Sequence, residues 1–113
     1  MDYRNSQPRP TRFIHCKDLV EGVRIVWISE IGQKTGSFKY RAAWNVVEQI
    51  NAPHFLAASS GNFGAALALA TKEAGRGCTI VMPHTSAQVK ISAVKSHGAT
   101  VELIDVDQRR GLD

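Results

Sequence analysis

Two short segments of this 113-residue chain carry the side chains best suited to chemistry. The first, Lys34-Thr-Gly-Ser-Phe-Lys39-Tyr-Arg41, places Lys39 on the opening turn of a predicted helix. The second, Ser59-Ser60-Gly61-Asn62-Phe63-Gly64, is a turn of small residues between an apolar run and an alanine-rich helix. A lysine amine can attack an aldehyde, and backbone N–H groups at a helix start attract anions. The two segments therefore indicate amine chemistry beside an anion site.

The local physics of Lys39 favours its neutral amine. Close to a helix start, the positive end of the helix dipole disfavours an ammonium group. Lys34 and Arg41 add like charge nearby, and both effects favour the form that attacks an aldehyde or removes a proton. Position alone favours a solvated lysine on an amphipathic helix. It is the surrounding motif that makes Lys39 the candidate catalytic residue.

The elements that must position these residues alternate along the chain. The pattern predicts strands at 24–30, 55–58, 78–82 and 100–104, and helices at 37–50, 62–74 and 87–97. A four-residue spacing predicts the buried stripe of the first helix, made of Phe38, Ala42, Val46 and Ile50 and widened by Ala43 and Val47. Continuous apolar strands between helices favour a parallel sheet covered on both faces. We therefore predict an α/β fold, a three-layer αβα parallel sheet of about four strands, in residues 13–113 after a polar N-terminal arm at 1–12.

Composition argues against several other classes of protein. The net charge is +4, but the basic residues are spread along the chain without interleaved aromatic residues, so we expect no nucleic-acid partner. A basic surface suits a phosphorylated or carboxylate ligand. Cys16 and Cys78 lie far apart and the histidines are scattered, so no metal site is predicted. No apolar run is long enough to span a membrane and no secretory signal is present, so we expect a cytoplasmic protein without a membrane partner.

The lysine and asparagine segments resemble those of the pyridoxal-phosphate-dependent enzymes of fold type II, the tryptophan synthase β family. Serine/threonine dehydratases, threonine synthase and cysteine synthase belong to that family. Further landmarks are Glu30 before the lysine motif, Arg41-Ala-Ala43 after it, Val81-Met-Pro83 and His97-Gly-Ala-Thr-Val101. The resemblance covers about residues 20 to 105 and implies the fold of the family's small domain. Lys90 is interpreted as a surface residue.

The resemblance implies pyridoxal 5'-phosphate as the cofactor and Lys39 as its Schiff-base lysine. It also implies that Phe38 packs into the core and fixes the direction of Lys39. Asn62 would hydrogen bond the ring hydroxyl oxygen of the cofactor. Ser60 would handle a proton or the leaving hydroxyl opposite Lys39. The substrate carboxylate would be held by Ser59, Ser60, Gly61 and Asn62. The simpler alternative for this segment is an ordinary capped turn with Ser60 or Asn62 as the helix N-cap.

The implied activity is that of an amino-acid lyase, with dehydration and deamination of L-serine or L-threonine to a 2-oxo acid and ammonia. A replacement reaction like that of threonine synthase or cysteine synthase is the alternative within the family. A catalytically inactive remnant that binds an anion or another protein is the alternative outside it. The family's glycine-rich phosphate loop has no counterpart in this sequence. We therefore expect the N-terminal, small-lobe part of an enzyme, completed by another lobe or in a homodimer, that binds the cofactor weakly by itself.

Overall fold

Strands and helices alternate along most of residues 7–105, the part of the chain that the computed structural model describes. The strands are β1 (Arg12–Val20), β2 (Val23–Ser29), β3 (His54–Ala58), β4 (Gly77–Pro83) and β5 (Thr100–Ile104). The α-helices are α1 (Lys39–Gln49), α2 (Asn62–Glu73) and α3 (Gln88–Ser96), and a short 3₁₀ turn covers Lys34–Gly36. Residues 1–6 of the predicted arm lie outside the described residues.

The strands β3, β4 and β5 form a parallel sheet with β4 in the middle. The central strand has neighbours on both sides, and its Ile80 and Met82 are fully buried. The α2 helix packs on this strand at Gly64, where an added Cβ would lie 3.2 Å from Ile80 Cγ2. Glycine at this position lets the helix approach the sheet closely. The contact holds the start of α2, and with it the asparagine turn, against the sheet.

The hydrophobic core lies between the sheet and the helices. The α3 helix packs beside α2, and α1 packs on α2. The buried side chains form one cluster, whose larger members include Tyr40, Val47, Phe55, Leu67, Ile80, Met82, Ile91 and Val94. Burial of this apolar surface stabilises the packing of the helices. Because each candidate turn leads into α1 or α2, this packing also determines where the two turns lie.

The predicted α/β class and parallel sheet are confirmed, but the sheet contains three strands instead of about four. The segment predicted as its first strand forms β2 and pairs antiparallel with β1 in a separate hairpin. The sequence does not predict β1, because polar and charged residues interrupt its apolar ones. Gly22, with a φ of +74°, lies in the turn between the two strands. The proposed boundary between arm and domain at residues 12 and 13 stays a prediction.

The buried face of α1 differs from the predicted one. Phe38, expected in the core, is 60% exposed, and Ile50 is 51% exposed. The buried residues are Tyr40, Ala43 and Val47; Ala43 and Val47 were predicted to widen the stripe and are confirmed, whereas Tyr40 was not predicted. The helix runs from Lys39 to Gln49, so Phe38 precedes its first residue and Ile50 follows its last. The direction of Lys39 is therefore set by its neighbour Tyr40, which is fully buried.

Candidate functional site

The turn before Lys39 has an unusual backbone. Thr35 has a φ of +62° and Gly36 a φ of +75°. The left-handed region suits glycine but costs a threonine roughly 1 kcal/mol or more. The Thr35 hydroxyl is also buried and has no hydrogen-bond partner among the described residues. Such a turn persists only where contacts elsewhere hold it.

Lys39 opens α1 and is partly buried. Its backbone N–H donates to Ser37 Oγ at 3.3 Å, and its Nζ lies 4.9 Å from the centre of the Phe38 ring. Phe38 was expected to direct Lys39 from within the core. Its exposed ring instead contacts the lysine from outside the core. The ammonium or amine of Lys39 remains reachable from solvent, as a reacting amine must be.

The two basic residues near Lys39 are both paired with carboxylates. Lys34 Nζ lies 2.8 Å from Glu73 Oε2, and Arg41 Nε lies 3.0 Å from Glu30 Oε1. The sequence predicted that these like charges would push Lys39 towards its neutral form. In the structure each of these positive charges is offset by a nearby negative one, and the effect on Lys39 stays a prediction.

Glu30 ties the N-terminal segment to the lysine turn. It accepts hydrogen bonds from Thr11, from Gln33 Nε2 at 3.0 Å and from Arg41. These three bonds hold the pKa of the Glu30 carboxyl below its ordinary value. Gln33, only 4% exposed, exchanges two 2.8 Å hydrogen bonds with the backbone of Arg9. Glu30 is therefore a structural residue, which explains its place before the lysine motif.

The asparagine turn is held by Ser59. Its N–H donates to Val81 O on the central strand at 3.1 Å. Its hydroxyl oxygen accepts from the N–H groups of Gly61, at 3.4 Å, and Gly64, at 3.0 Å. Ser59 thus does the capping expected of Ser60 or Asn62. A serine hydroxyl that accepts two bonds can still donate its hydrogen, and the expected contact of Ser59 with a substrate carboxylate stays a prediction.

The remaining residues of the turn face outward. Ser60 and Asn62 are exposed. Apart from Gly61 and its two chain neighbours, no atom of residues 7–105 lies within 4 Å of the place where a Cβ on Gly61 would stand, so the turn has an open side there. In residues 7–105, the N–H groups of Asn62 and Phe63 have no hydrogen-bond acceptor. A helix start with free N–H groups and an open approach can hold a carboxylate.

Lys90 is a functional candidate that the sequence did not reveal. From the sequence it is interpreted as a surface residue. In the structure it is partly buried, and its Nζ donates to Asn62 Oδ1 at 2.9 Å. The bond occupies the amide oxygen of Asn62 and leaves its NH₂ group to donate elsewhere. Lys90 lies 28 residues further on, in the first turn of α3. It meets Asn62 because both helices follow carboxyl ends of parallel strands. Only the topology of the sheet could have revealed this pair.

The structure brings Ser59, Ser60, Gly61 and Asn62 together with Lys90, but no hydrogen bond among the described residues joins them to Lys39. The Tyr40 hydroxyl, next to Lys39, reaches Glu73 at the far end of α2 from Asn62. A ligand that uses both turns must therefore span the space between the first turns of α1 and α2. The shared site stays a prediction.

In residues 7–105, no group of histidine, cysteine and acidic side chains is arranged to hold a metal ion. Within the same range, no helix has the length and apolar character needed to cross a membrane.

This fold and the two turns define a lobe of a known class of enzyme. The family model for pyridoxal-phosphate-dependent enzymes matches residues 5–112. The chain therefore belongs to the pyridoxal-phosphate-dependent enzymes, of the fold type II that the sequence resembles, and the family's cofactor is pyridoxal 5'-phosphate.

Individual relatives narrow the comparison. A putative threonine dehydratase of Sinorhizobium fredii is 40% identical over 80 residues, 67% of this chain and 24% of the relative. An L-threo-3-hydroxyaspartate ammonia-lyase of a Pseudomonas species is 35% identical over 92 residues, 78% of this chain and 29% of the relative. Among solved structures, serine racemase from Dictyostelium discoideum is similar with a TM-score of 0.86 and 30% identity, over 96% of this chain and 38% of that one. The chain thus spans about a quarter of the length of these two sequence relatives.

The described residues fit the cofactor. Lys39 presents an accessible amine at a helix start. Asn62 has its amide oxygen held by Lys90, so its NH₂ group is available to the oxygen on the cofactor ring. The free N–H groups at the start of α2 suit an anionic group of the substrate. Each feature is an observation on this chain and agrees with its family membership.

Proposed function

We propose that the protein to which this lobe belongs is an amino-acid lyase that converts L-serine or L-threonine to a 2-oxo acid and ammonia. The observation that carries the proposal is the asparagine turn, with free N–H groups beside an Asn62 amide oriented by Lys90. The 40% identity to a putative threonine dehydratase supports the choice of reaction. As in the sequence-based expectation, the substrate is a small amino acid.

Lys39 is proposed as the residue that holds the cofactor and moves the proton. When bound, pyridoxal 5'-phosphate supplies an electron sink for the bond that breaks at the substrate Cα. Lys39, as a free amine, would take the Cα proton. Ser60, exposed on the asparagine turn, would serve the leaving hydroxyl. Each role needs a side chain that a ligand can reach. Lys39 is only partly buried and Ser60 is exposed, so both meet this condition.

The asparagine turn is proposed to orient the substrate. The N–H groups of Asn62 and Phe63 would bind its carboxylate, and the open side at Gly61 would admit it. The Asn62 NH₂ group would contact the cofactor ring oxygen. Positioning of this kind lowers the barrier by fixing the reacting atoms before the reaction begins.

Turnover by the longer protein tests this proposal. We expect purified protein with its downstream sequence to release 2-oxo acid and ammonia from L-serine or L-threonine in equal amounts. Absence of product from both amino acids, in a folded protein that retains its cofactor, would contradict the proposal.

Amino-acid racemisation is the second candidate, favoured by the similarity to a serine racemase over 96% of this chain. Lys39 would remove the Cα proton and Ser60 would return one from the opposite face. Chiral chromatography of the same reaction distinguishes the two candidates. A racemase gives D-serine from L-serine, whereas a lyase consumes L-serine without forming the other enantiomer.

We further propose that a second lobe, supplied by downstream sequence or by another copy in a homodimer, completes the site in the cytoplasm. The 24% share of the dehydratase relative that the chain matches supports a larger protein. Light scattering of the longer protein gives its oligomeric state, and cell fractionation gives its location.

A further inference from the structure

Glu73, the last residue of α2, joins the two residues that flank the turn of Lys39. Its Oε2 lies 2.8 Å from Lys34 Nζ, and its Oε1 accepts a 3.0 Å hydrogen bond from the Tyr40 hydroxyl. Lys34 begins the turn and Tyr40 follows Lys39 directly. One carboxylate thus uses both oxygens to hold the start and the end of a single short segment.

The three side chains are largely removed from water. The Lys34 and Glu73 side chains are 15% and 20% exposed, and Tyr40 is fully buried. The Lys34 ammonium also lies 5.2 Å from the centre of the Tyr40 ring, within the range of a cation–π contact. Partly buried charges attract more strongly than surface ones, and removal of one partner leaves the other poorly solvated. The cluster therefore resists separation.

The turn between Lys34 and Lys39 needs such an anchor. Thr35 and Gly36 both have left-handed φ values, and the Thr35 hydroxyl is buried without a hydrogen-bond partner among the described residues. A local hydrogen bond is present, from the Gly36 N–H to Gln33 O at 2.8 Å, but residues in sparsely populated backbone regions persist where the surrounding structure also holds them. Fixing Tyr40 also sets the direction of Lys39, because successive side chains on a helix are related by a fixed rotation.

We propose that Glu73 is a positioning residue, which holds the Lys39 turn through Lys34 and Tyr40 and so directs the Lys39 amine into the site. The proposal rests on the proposed role of Lys39 in the function above. Burial, reinforced by the Glu73 carboxylate, raises the pKa of Tyr40, so its hydroxyl stays protonated and keeps donating. The anchor is thus present throughout the neutral pH range.

Labelling of Lys39 tests the proposal without a turnover assay. The 113-residue chain is mixed with pyridoxal 5'-phosphate and reduced with borohydride, and peptide mass mapping gives the share of pyridoxyl label on each lysine. Glu73→Gln, which keeps the shape of the side chain but removes its charge, is expected to lower the share on Lys39 by about threefold or more, because small misplacements cost reactivity steeply. Glu102→Gln, at an exposed position on β5, is the matched control and leaves the share unchanged.

A second variant keeps the test decisive if Glu73→Gln fails to fold. Tyr40→Phe removes only the hydroxyl, and we expect faster hydrogen exchange at the backbone of residues 35–39 together with a smaller fall in the Lys39 share. Lys34→Glu combined with Glu73→Lys restores the ion pair with reversed charges, and should recover part of the share lost in Glu73→Gln. If Glu73→Gln acted only by lowering the stability of the whole chain, the double variant would not restore the share of label on Lys39.

The outcomes separate this inference from the proposed function. Evenly labelled lysines in the unaltered chain would overturn the role of Lys39, and with it the proposed function. Selective labelling of Lys39 that persists in a folded Glu73→Gln variant would overturn only the positioning role. Unchanged hydrogen exchange at residues 35–39 in Tyr40→Phe would overturn it as well.

Discussion

The two turns of the candidate site are held by different kinds of contact. Ser59 holds the asparagine turn mainly through backbone groups within five residues of itself. The lysine turn is strained and depends on side chains distant in sequence, with Glu73 lying 39 residues from Lys34. A turn stabilised locally keeps its shape wherever its helix packs. A turn stabilised at long range reports on the fold of the whole lobe, so we expect damage to the fold to affect Lys39 before Asn62.

The largest expected effect separates the chemical roles of the two turns. In the longer protein, Lys39→Ala should lower kcat for serine or threonine by at least about 10³-fold, because it removes the amine proposed to take the Cα proton. Asn62→Ala should cost only about tenfold, since it removes one hydrogen bond. Initial rates of 2-oxo acid formation measure both, with Lys95→Ala as the control. Equal losses at Lys39 and Asn62 would contradict this division of roles.

Ser59 and Ser60 give a matched test of the local turn. Ser59→Ala leaves the N–H groups of Gly61 and Gly64 without an acceptor and should destabilise the chain by about 1 kcal/mol. The expected fall in Tm is about 4–8 °C. Ser60→Ala, at an exposed position, should leave Tm unchanged while impairing turnover in the longer protein. A larger thermal shift for Ser60→Ala than for Ser59→Ala would reverse our assignment of the cap.

Lys90 tests the side-chain contact that joins the asparagine turn to α3. Lys90→Met keeps the length of the side chain but removes the donor to Asn62 Oδ1. We expect pyridoxal 5'-phosphate to bind the longer protein about two- to tenfold more weakly, the value of a single hydrogen bond, with little change in Tm. Lys95→Met, exposed on the same helix, is the control. Fluorescence titration that gives equal affinity for both variants would show that Lys90 does not orient Asn62.

Acid should loosen the lysine turn through Glu30. Hydrogen bonds from Thr11, Gln33 and Arg41 lower the folded-state pKa of Glu30 below its ordinary value of 4.5. A carboxyl of this kind contributes stability above its unfolded pKa, and the contribution is lost as the pH falls through the folded one. Tm of the unaltered chain should therefore fall more steeply below pH 4.5 than Tm of Glu30→Gln. If Tm of the two proteins fell in parallel from neutral to acid pH, this effect would be contradicted. It is the smallest of the expected effects.

The sequence predicted the local parts of the molecule better than the long-range ones. Phe55–Ala58, the helix after Asn62 and the strand at 100–104 follow from apolar runs, turn residues and glycine stops, and the structure has elements there. The hairpin was missed because the pairing of β1 with β2 is a tertiary choice that polar residues in β1 conceal. A sequence pattern gives the period of an element but not its partner.

The same limit applies to the candidate site. The motifs drew attention to Lys39 and Asn62, whose roles stay predictions. The ion pairs of Lys34 and Arg41, the bond between Lys90 and Asn62 and the inward direction of Tyr40 were not predicted. Each depends on residues brought together by helix packing or by sheet topology, and no spacing along the chain encodes it.

Selective reaction of Lys39 is the measurement on which the comparison of the two turns depends most. The unaltered 113-residue chain is treated with a limiting amount of pyridoxal 5'-phosphate and reduced with borohydride, and peptide mass mapping then gives the pyridoxyl label on every lysine. We expect most of the label on Lys39, because its turn is fixed and its amine is accessible at a helix start. The internal controls are Lys17, Lys34, Lys72, Lys90 and Lys95. Label spread evenly over these lysines and Lys39 would contradict the existence of a cofactor site in this lobe.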